Sequence, residues 1–450
     1  MTDFLSPVFE ALAAEPSRLL DVLVRGARVI DPASGLDETA DVWVVAGRVQ
    51  RIAPRLDLPA ERIEETRVVD GAGLWLVPGF FDMHVHLREP GEEYKETIAT
   101  GTASAVSGGY AAVACMPNTN PVNDCAPVTE FILKRAEQAG SCTVFPVGAI
   151  SKGLRGKELS EFGELRAAGA VAVTDDGRPV TDGRLMRRAL EYARRFDLVV
   201  ISHAEDLSLS EGGLMNEGAM STRLGLRGIP WVAESAMVAR DLMLAELTGS
   251  RIHIAHVSTE ASVRLIREAK SRGVPVTAET APHYFTLSDD VLSGFDTVYK
   301  VNPPLRSRED RKAVKEALAD GTIDCIATDH APHSLLEKDI EFEYAASGMI
   351  GLESAFPLVC GLVHEGVLTP GGAIAALTWN PARILDVPVG RLQEGAPATF
   401  TLVDPNAEYV IDADSFQSKS RNCPFHGRRV KGRVLLTAVE GKAAFVYRKP

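Results

Sequence analysis

Apolar and polar residues are arranged in two textures along this chain. From Leu19 to Leu76 the apolar positions fall in short alternating runs, DVLVRGARVI, ADVWVVAGRVQRIA and TRVVDGAGLWL, broken by Gly, Asp and Pro. Period-two alternation bounded by turn residues predicts half-buried strands. The same texture returns in ATFTLVD, RVKGRVLLTAVEG and KAAFVYR, the last two separated by a Gly-containing turn. The two ends of the chain therefore predict one small β-sandwich built jointly, with residues 1–18 as an extra helical or frayed arm.

Between those ends, apolar strand-like runs alternate with amphipathic helical stretches, the pattern of a parallel sheet covered by helices. The strand candidates are VPGFFDMHVHL, YAAVACMP, CTVFPVGAI, AVAVTDDG, DLVVISHAED, RIHIAHVST, PVTAETAPHY and DCIATDHAPH. EFILKRAEQAG, LMRRALEYARRF, SAMVARDLMLAEL and TEASVRLIREAKSRG are helical candidates between them. Eight such units predict an α/β fold with a TIM-type (β/α)8 barrel, whose active site lies where the strands end. The expected organisation is 19–77 and 389–450 as the two parts of the sandwich and 78–388 as the barrel.

Composition narrows the chemistry. At 450 residues with 45% hydrophobic and 24% charged content, the chain can bury a large core. No stretch approaches the roughly 20 apolar residues that span a bilayer, and the N-terminus lacks a basic segment followed by an apolar one. A cytoplasmic protein without membrane contact is expected. The six cysteines have no C-x-x-C pairing and read as buried reduced thiols. A net charge of −13 argues against a nucleic-acid partner, because phosphate binding needs clustered Lys and Arg. An anionic small substrate would need locally placed cations.

Those cations and their counterparts lie at strand ends. His84 and His86 are two apart on the first barrel strand, so both imidazoles point to one side. H-x-H alone is weak evidence of a metal site, but His203 closes VVISHAED, His256 closes IHIAHVST and Asp329 closes CIATDHAPH. Four imidazoles and a carboxylate on one barrel face are hard to explain as core filling. Nitrogen and oxygen ligands suit zinc or a similar transition ion. Two metals account for so many ligands if another acid bridges them, and AVAVTDDG supplies Asp175 and Asp176. Neighbouring strand residues face opposite ways, so one of the pair is available and the other reads as a turn acid. His253 and His330 suit supporting or packing roles, as do His283, His364 and His426, and SREDRKAVKEALADG reads as a solvated helix face.

The ordered motifs PGFFDMHVHLREPGEEYKETIATGTASAVSGGY, ACMPNTNPV, TDDG, ISHAED, AHVST, KVNPPLR and IATDHAPH resemble those of the bacterial class I dihydroorotases, within the amidohydrolase superfamily. The match spans essentially the whole barrel. It implies reversible cyclisation of N-carbamoyl-L-aspartate to dihydroorotate in pyrimidine biosynthesis, through a hydroxide bridging two divalent metals. His84, His86 and Asp329 would hold one ion and His203 and His256 the other, with Asp176 favoured as the bridge. Many amidohydrolases place a carboxylated lysine there, but AVAVTDDG contains no Lys, so none is expected. The resemblance makes Asp329 the proton carrier and matches His86, Arg88, Asn118, Asn302, His333, Ser347 and Gly348 to substrate recognition. Arg88 also suits that role by its own chemistry, since a substrate carboxylate calls for a planar bidentate donor. The alternative for Asn118 is a turn former and for Asn302 a cap before the Pro pair.

Two other functions fit the same residues. Another cyclic amidase, an allantoinase or dihydropyrimidinase, would use the same metals, although Arg88 favours a substrate carrying a carboxylate. An inactive scaffold for aspartate transcarbamoylase would not need convergent histidines. A homo-oligomer is expected, with aspartate transcarbamoylase as a candidate partner. Where class I relatives commonly read A-P-F-G after the last catalytic strand, this chain has Ala345-Ala346-Ser347-Gly348 and lacks the aromatic. The segment from His330 to Gly351 has no strong apolar period, and a mobile lid is expected there.

Overall fold

The computed structural model describes residues 6–448. Eight parallel strands follow one another around a barrel in chain order: Phe80–Val85, Tyr110–Cys115, Thr143–Ala149, Ala172–Thr174, Val199–Ser202, Ile252–Ile254, Val276–Thr280 and Cys325–Ile326. Each falls inside one of the eight apolar runs. Parallel neighbours need a crossover, and helices such as Ala126–Ala139, Gly183–Ala193, Glu260–Ser271 and Arg308–Ala319 supply it. The last of these shows how a charged run is accommodated. A Ser307/Asp310 capping box starts the helix, while Ala313, Val314, Ala317 and Leu318 face the barrel and leave the charges to solvent.

Closure joins the first strand to the last. Val85 bridges His330, and the His86 N–H donates to the His330 carbonyl at 2.9 Å. Below that bridge the buried Asp82 carboxylate accepts from the Thr328 N–H at 3.1 Å and from the His84 N–H at 3.1 Å. The two strand ends that carry His84, His86 and Asp329 are thus fixed to each other.

The chain ends build a second, eight-stranded sheet. Its seam is Trp75–Pro78, which runs parallel to Val22–Asp31 and antiparallel to Phe400–Val410, with Phe400 opposite Pro78. Val22, Val24, Val42, Leu76, Phe400 and Leu436 fill the core beside it. Helix Ser6–Ala14 docks on this core through Phe9 and Leu12; the first five residues of the expected arm lie outside the described residues. All six cysteines are free, five of them buried. No helix among the described residues is long and apolar enough to cross a membrane.

Candidate active site

At the C-terminal ends of the barrel strands, Asp176 stands between two groups of imidazoles. Its Oδ1 is 3.3 Å from His84 Nε2, 3.6 Å from His203 Nδ1 and 3.8 Å from His256 Nε2, and its Oδ2 is 3.5 Å from His86 Nε2. His84, His86 and Asp176 form one set of convergent donors, and Asp176, His203 and His256 form a second. Asp329 adds to the first set, with Oδ1 3.1 Å from His86 Nε2 and 3.6 Å from His84 Nε2.

Strand alternation explains which acid of the pair arrives there. Asp175 turns away, accepting from the Ser151 N–H at 2.9 Å and from the Ser151 hydroxyl, and burial raises its carboxyl to about 6. Burial also pushes Asp176 upward, but the facing His84, His203 and His256 outweigh it and hold that carboxyl well below the usual range. Asp329 is likewise held low against its burial, chiefly by His86 and His84.

Every member of this cluster is buried, with His84 only 1% exposed. Burying so many ionisable groups without compensation costs several kcal/mol per ion, so stability alone does not account for it. The Nε2 of His84 has no hydrogen-bond partner although it faces two carboxylates. An orphaned buried nitrogen in a ring of donors is what a cation would satisfy. The donor set therefore fits divalent metal ions. His256 and Asp329 both sit at positive φ, 34° and 49°, and Arg88 at 63°. Backbone held in a region that non-glycine residues rarely adopt is a mark of sites where side-chain aim is over-determined by the surroundings.

A cavity of about 370 Å³ opens onto the cluster, near the lower end of the roughly 300–1,000 Å³ usual for small-molecule clefts. Arg88, Asn118, Asn302, His333, Ser347 and Gly348 all line it. The buried Arg88 is aimed by its Nε–H, which donates to the Pro332 carbonyl at 3.1 Å. His333 Nε2 is 2.9 Å from the Ser347 carbonyl and 3.4 Å from Arg88 Nη2. The carbonyl can only accept, so the ring proton is on Nε2 and the Arg88 approach is a contact between two donors. Burial, reinforced by Arg88, Lys95 and Lys338, lowers His333 to about 3 and keeps it neutral. Asn118 accepts from His86 Nδ1 at 2.9 Å, and Asn302 donates to Glu205 at 2.9 Å.

Three features were not legible beforehand. Glu279, on the seventh strand, takes His84 Nδ1 at 2.6 Å, and Glu205 takes His203 Nε2 at 3.1 Å. The third is the apolar wall, formed by Leu214, Ile229 and Val301. Leu214 and Ile229 come from the long excursion after the fifth strand, where Met215–Asn216 pairs with Gly228–Ile229. That wall, rather than an aromatic at Ser347, supplies the apolar cover.

The remaining histidines stay outside the cavity lining. His253 is buried at the Thr277 hydroxyl, 2.8 Å away, and His330 Nδ1 accepts from the Gly351 N–H at 3.2 Å. His283 is buried, His364 packs at the Pro405 carbonyl at 2.9 Å, and His426 is exposed.

The segment from His330 to Gly351, where a mobile lid is expected, is tied to its surroundings by buried lysines. Lys338, only 6% exposed, donates from Nζ to the carbonyls of Ala346 at 2.8 Å, Gly348 at 3.2 Å and Lys300 at 3.3 Å. Lys300 Nζ in turn donates to the Phe342 and Glu343 carbonyls at 2.7 and 2.9 Å. The Gly348 N–H donates to the Lys300 carbonyl at 2.9 Å. In the ligand-free protein the amide of Gly348 is expected to exchange as slowly as those of the barrel strands, read by hydrogen–deuterium exchange. Rapid exchange there would restore the lid. Gly348 has φ 146°, and an added Cβ would lie 2.8 Å from His333 Nε2 and 2.9 Å from Ala331 Cβ. Gly348→Ala is therefore expected to cost about 1–3 kcal/mol, measured as a lower denaturation midpoint.

A Dihydro-orotase-like family model matches residues 73–262. A protein named dihydroorotase from Syntrophobacter fumaroxidans is 66% identical over 94% of this chain and 96% of its own length. Another dihydroorotase, from Anaeromyxobacter dehalogenans, is 56% identical over 94% of this chain and 97% of its own. Among solved structures, the L-hydantoinase (dihydropyrimidinase) of Arthrobacter aurescens superposes with a TM-score of 0.84 at 26% identity, covering 96% of this chain and 98% of that one.

Proposed function

The chain belongs to the dihydroorotase family of cyclic amide hydrolases, and on that premise we propose that it interconverts dihydroorotate and N-carbamoyl-L-aspartate at a centre of two divalent ions that share Asp176. The observation that carries the reading is the sharing itself: one buried carboxylate lies within 3.8 Å of four imidazoles that fall into two donor sets. Zinc suits these nitrogen and oxygen donors.

His84, His86, Asp176 and Asp329 would hold one ion, and Asp176, His203 and His256 the other. Ions bound there lower the pKa of water and polarise an amide carbonyl. Asp329, whose Oδ1 already faces His86, takes the proton of the attacking water and delivers it to the ring nitrogen as the amide bond breaks. In the cyclising direction the same oxygen removes the proton from the carbamoyl nitrogen. Arg88 holds the substrate carboxylate with its guanidinium edge, as a planar fork can. Asn118 and Asn302 each spend one amide atom on the site, on His86 and Glu205, and keep the other for the ring edge. Leu214, Ile229 and Val301 exclude water from the reacting bond.

A substrate panel tests this reading. Dihydroorotate should be opened and N-carbamoyl-L-aspartate closed with far higher kcat/KM than dihydrouracil, hydantoin or allantoin is hydrolysed. Preference for a ring without a carboxylate would instead assign the chain the hydantoinase type of reaction.

A further inference from the structure

Each donor set around Asp176 contains one imidazole whose outer nitrogen rests on a carboxylate. In the first set His84 Nδ1 lies 2.6 Å from Glu279 Oε1, and in the second His203 Nε2 lies 3.1 Å from Glu205 Oε2. The other two differ. His86 rests on the neutral amide of Asn118, and His256 Nε2 lies 2.8 Å from His203 Nδ1. We propose that Glu279 and Glu205 are positioning residues, each fixing the tautomer of one histidine and setting the affinity of its own metal position independently of the other.

The chemistry is that of an acceptor with no proton to give. A carboxylate can only accept, so the proton of His84 is placed on Nδ1 and the lone pair on Nε2, which faces Asp176 and Asp329. His203 is set the opposite way. Its proton is on Nε2 and its lone pair on Nδ1, 3.6 Å from Asp176. Negative charge behind an imidazole also makes its free nitrogen a stronger donor to a metal.

The two carboxylates are themselves held differently. Glu279 is 1% exposed inside the barrel, and its second oxygen is 3.3 Å from His253 Nε2, whose other nitrogen meets Thr277. His253 thereby acquires a reason to be buried in the sixth strand. Glu205 lines the cavity and shares its Oε2 with the Asn302 amide at 2.9 Å, so it couples one metal position to the substrate wall.

This inference rests on the two-metal reading, and zinc titration of metal-stripped protein against a competing chelator separates the two. Glu279→Gln keeps shape and removes charge. It is expected to weaken zinc at the position beside His84 by about 10- to 100-fold, with the position beside His203 keeping its wild-type affinity. Glu205→Gln is expected to do the reverse. Occupancy of each position at limiting zinc is read from anomalous scattering. Equal losses at both positions, or none at either, in zinc-binding protein overturn the inference alone. Wild-type protein that takes up no zinc overturns the metal reading and the inference together. Should either variant fail to fold, nitrogen-15 spectra of histidine in zinc-loaded wild type decide the matter. Protonated Nδ1 at His84 and protonated Nε2 at His203 support the proposal, and the opposite tautomer at either residue contradicts it.

Discussion

Asp329→Asn is expected to reduce kcat for dihydroorotate by about 100-fold or more, with KM changed much less. The carboxylate sits at the end of the eighth strand, where positive φ turns it towards His84 and His86. That conformation is imposed from both sides. The Thr328 N–H donates to Asp82, and the His330 carbonyl is taken by the first strand. An amide put in that place keeps the volume and the turn but can neither accept the proton of the attacking water nor return it to the leaving nitrogen. Because the interaction matters in the transition state, kcat and kcat/KM should fall together. Metal content measured on the same samples distinguishes lost proton transfer from a lost ligand. Near-normal turnover in metal-replete Asp329→Asn would remove Asp329 from the mechanism.

Arg88→Met is expected to separate substrates rather than to abolish activity at large. Leaving a substrate carboxylate unpaired in a desolvated site costs about 2–5 kcal/mol, or roughly 30- to several thousand-fold in kcat/KM for dihydroorotate. Dihydrouracil, which has no carboxylate, should scarcely register the change. Burial works against the charge of Arg88, while Glu92, Asp329 and Asp176 support it, so the guanidinium is costly to keep where it is. Equal losses on both rings would show that Arg88 serves packing through its bond to Pro332.

The barrel was legible because its strands are buried on both faces and read as near-continuous apolar runs, several of them ending in a polar residue that burial alone does not explain. Strand parity also reduced TDDG to one inward acid, and the structure turns Asp176 inward and ties Asp175 to Ser151. Glu279 escaped notice because a single acid in PVTAETAPHY gives no spacing, although an acid inside a buried strand is itself a signal. Glu205 was overshadowed by His203, two residues before it. The wall made by Leu214 and Ile229 lies in an excursion without period, where pairing depends on tertiary packing. For His330–Gly351 the same lack of period suggested mobility. Lysine-to-carbonyl bonds from Lys300 and Lys338 leave no trace in hydropathy, because lysine in a polar stretch is read as solvated.

The most direct test of the central claim is to strip the protein of metal and follow dihydroorotate ring opening as zinc is restored in measured steps. The account predicts negligible activity without metal and a rise that levels off at two equivalents per chain. Full activity in demonstrably metal-free protein, or a plateau at one equivalent with no further uptake, would contradict a centre built on the sharing of Asp176.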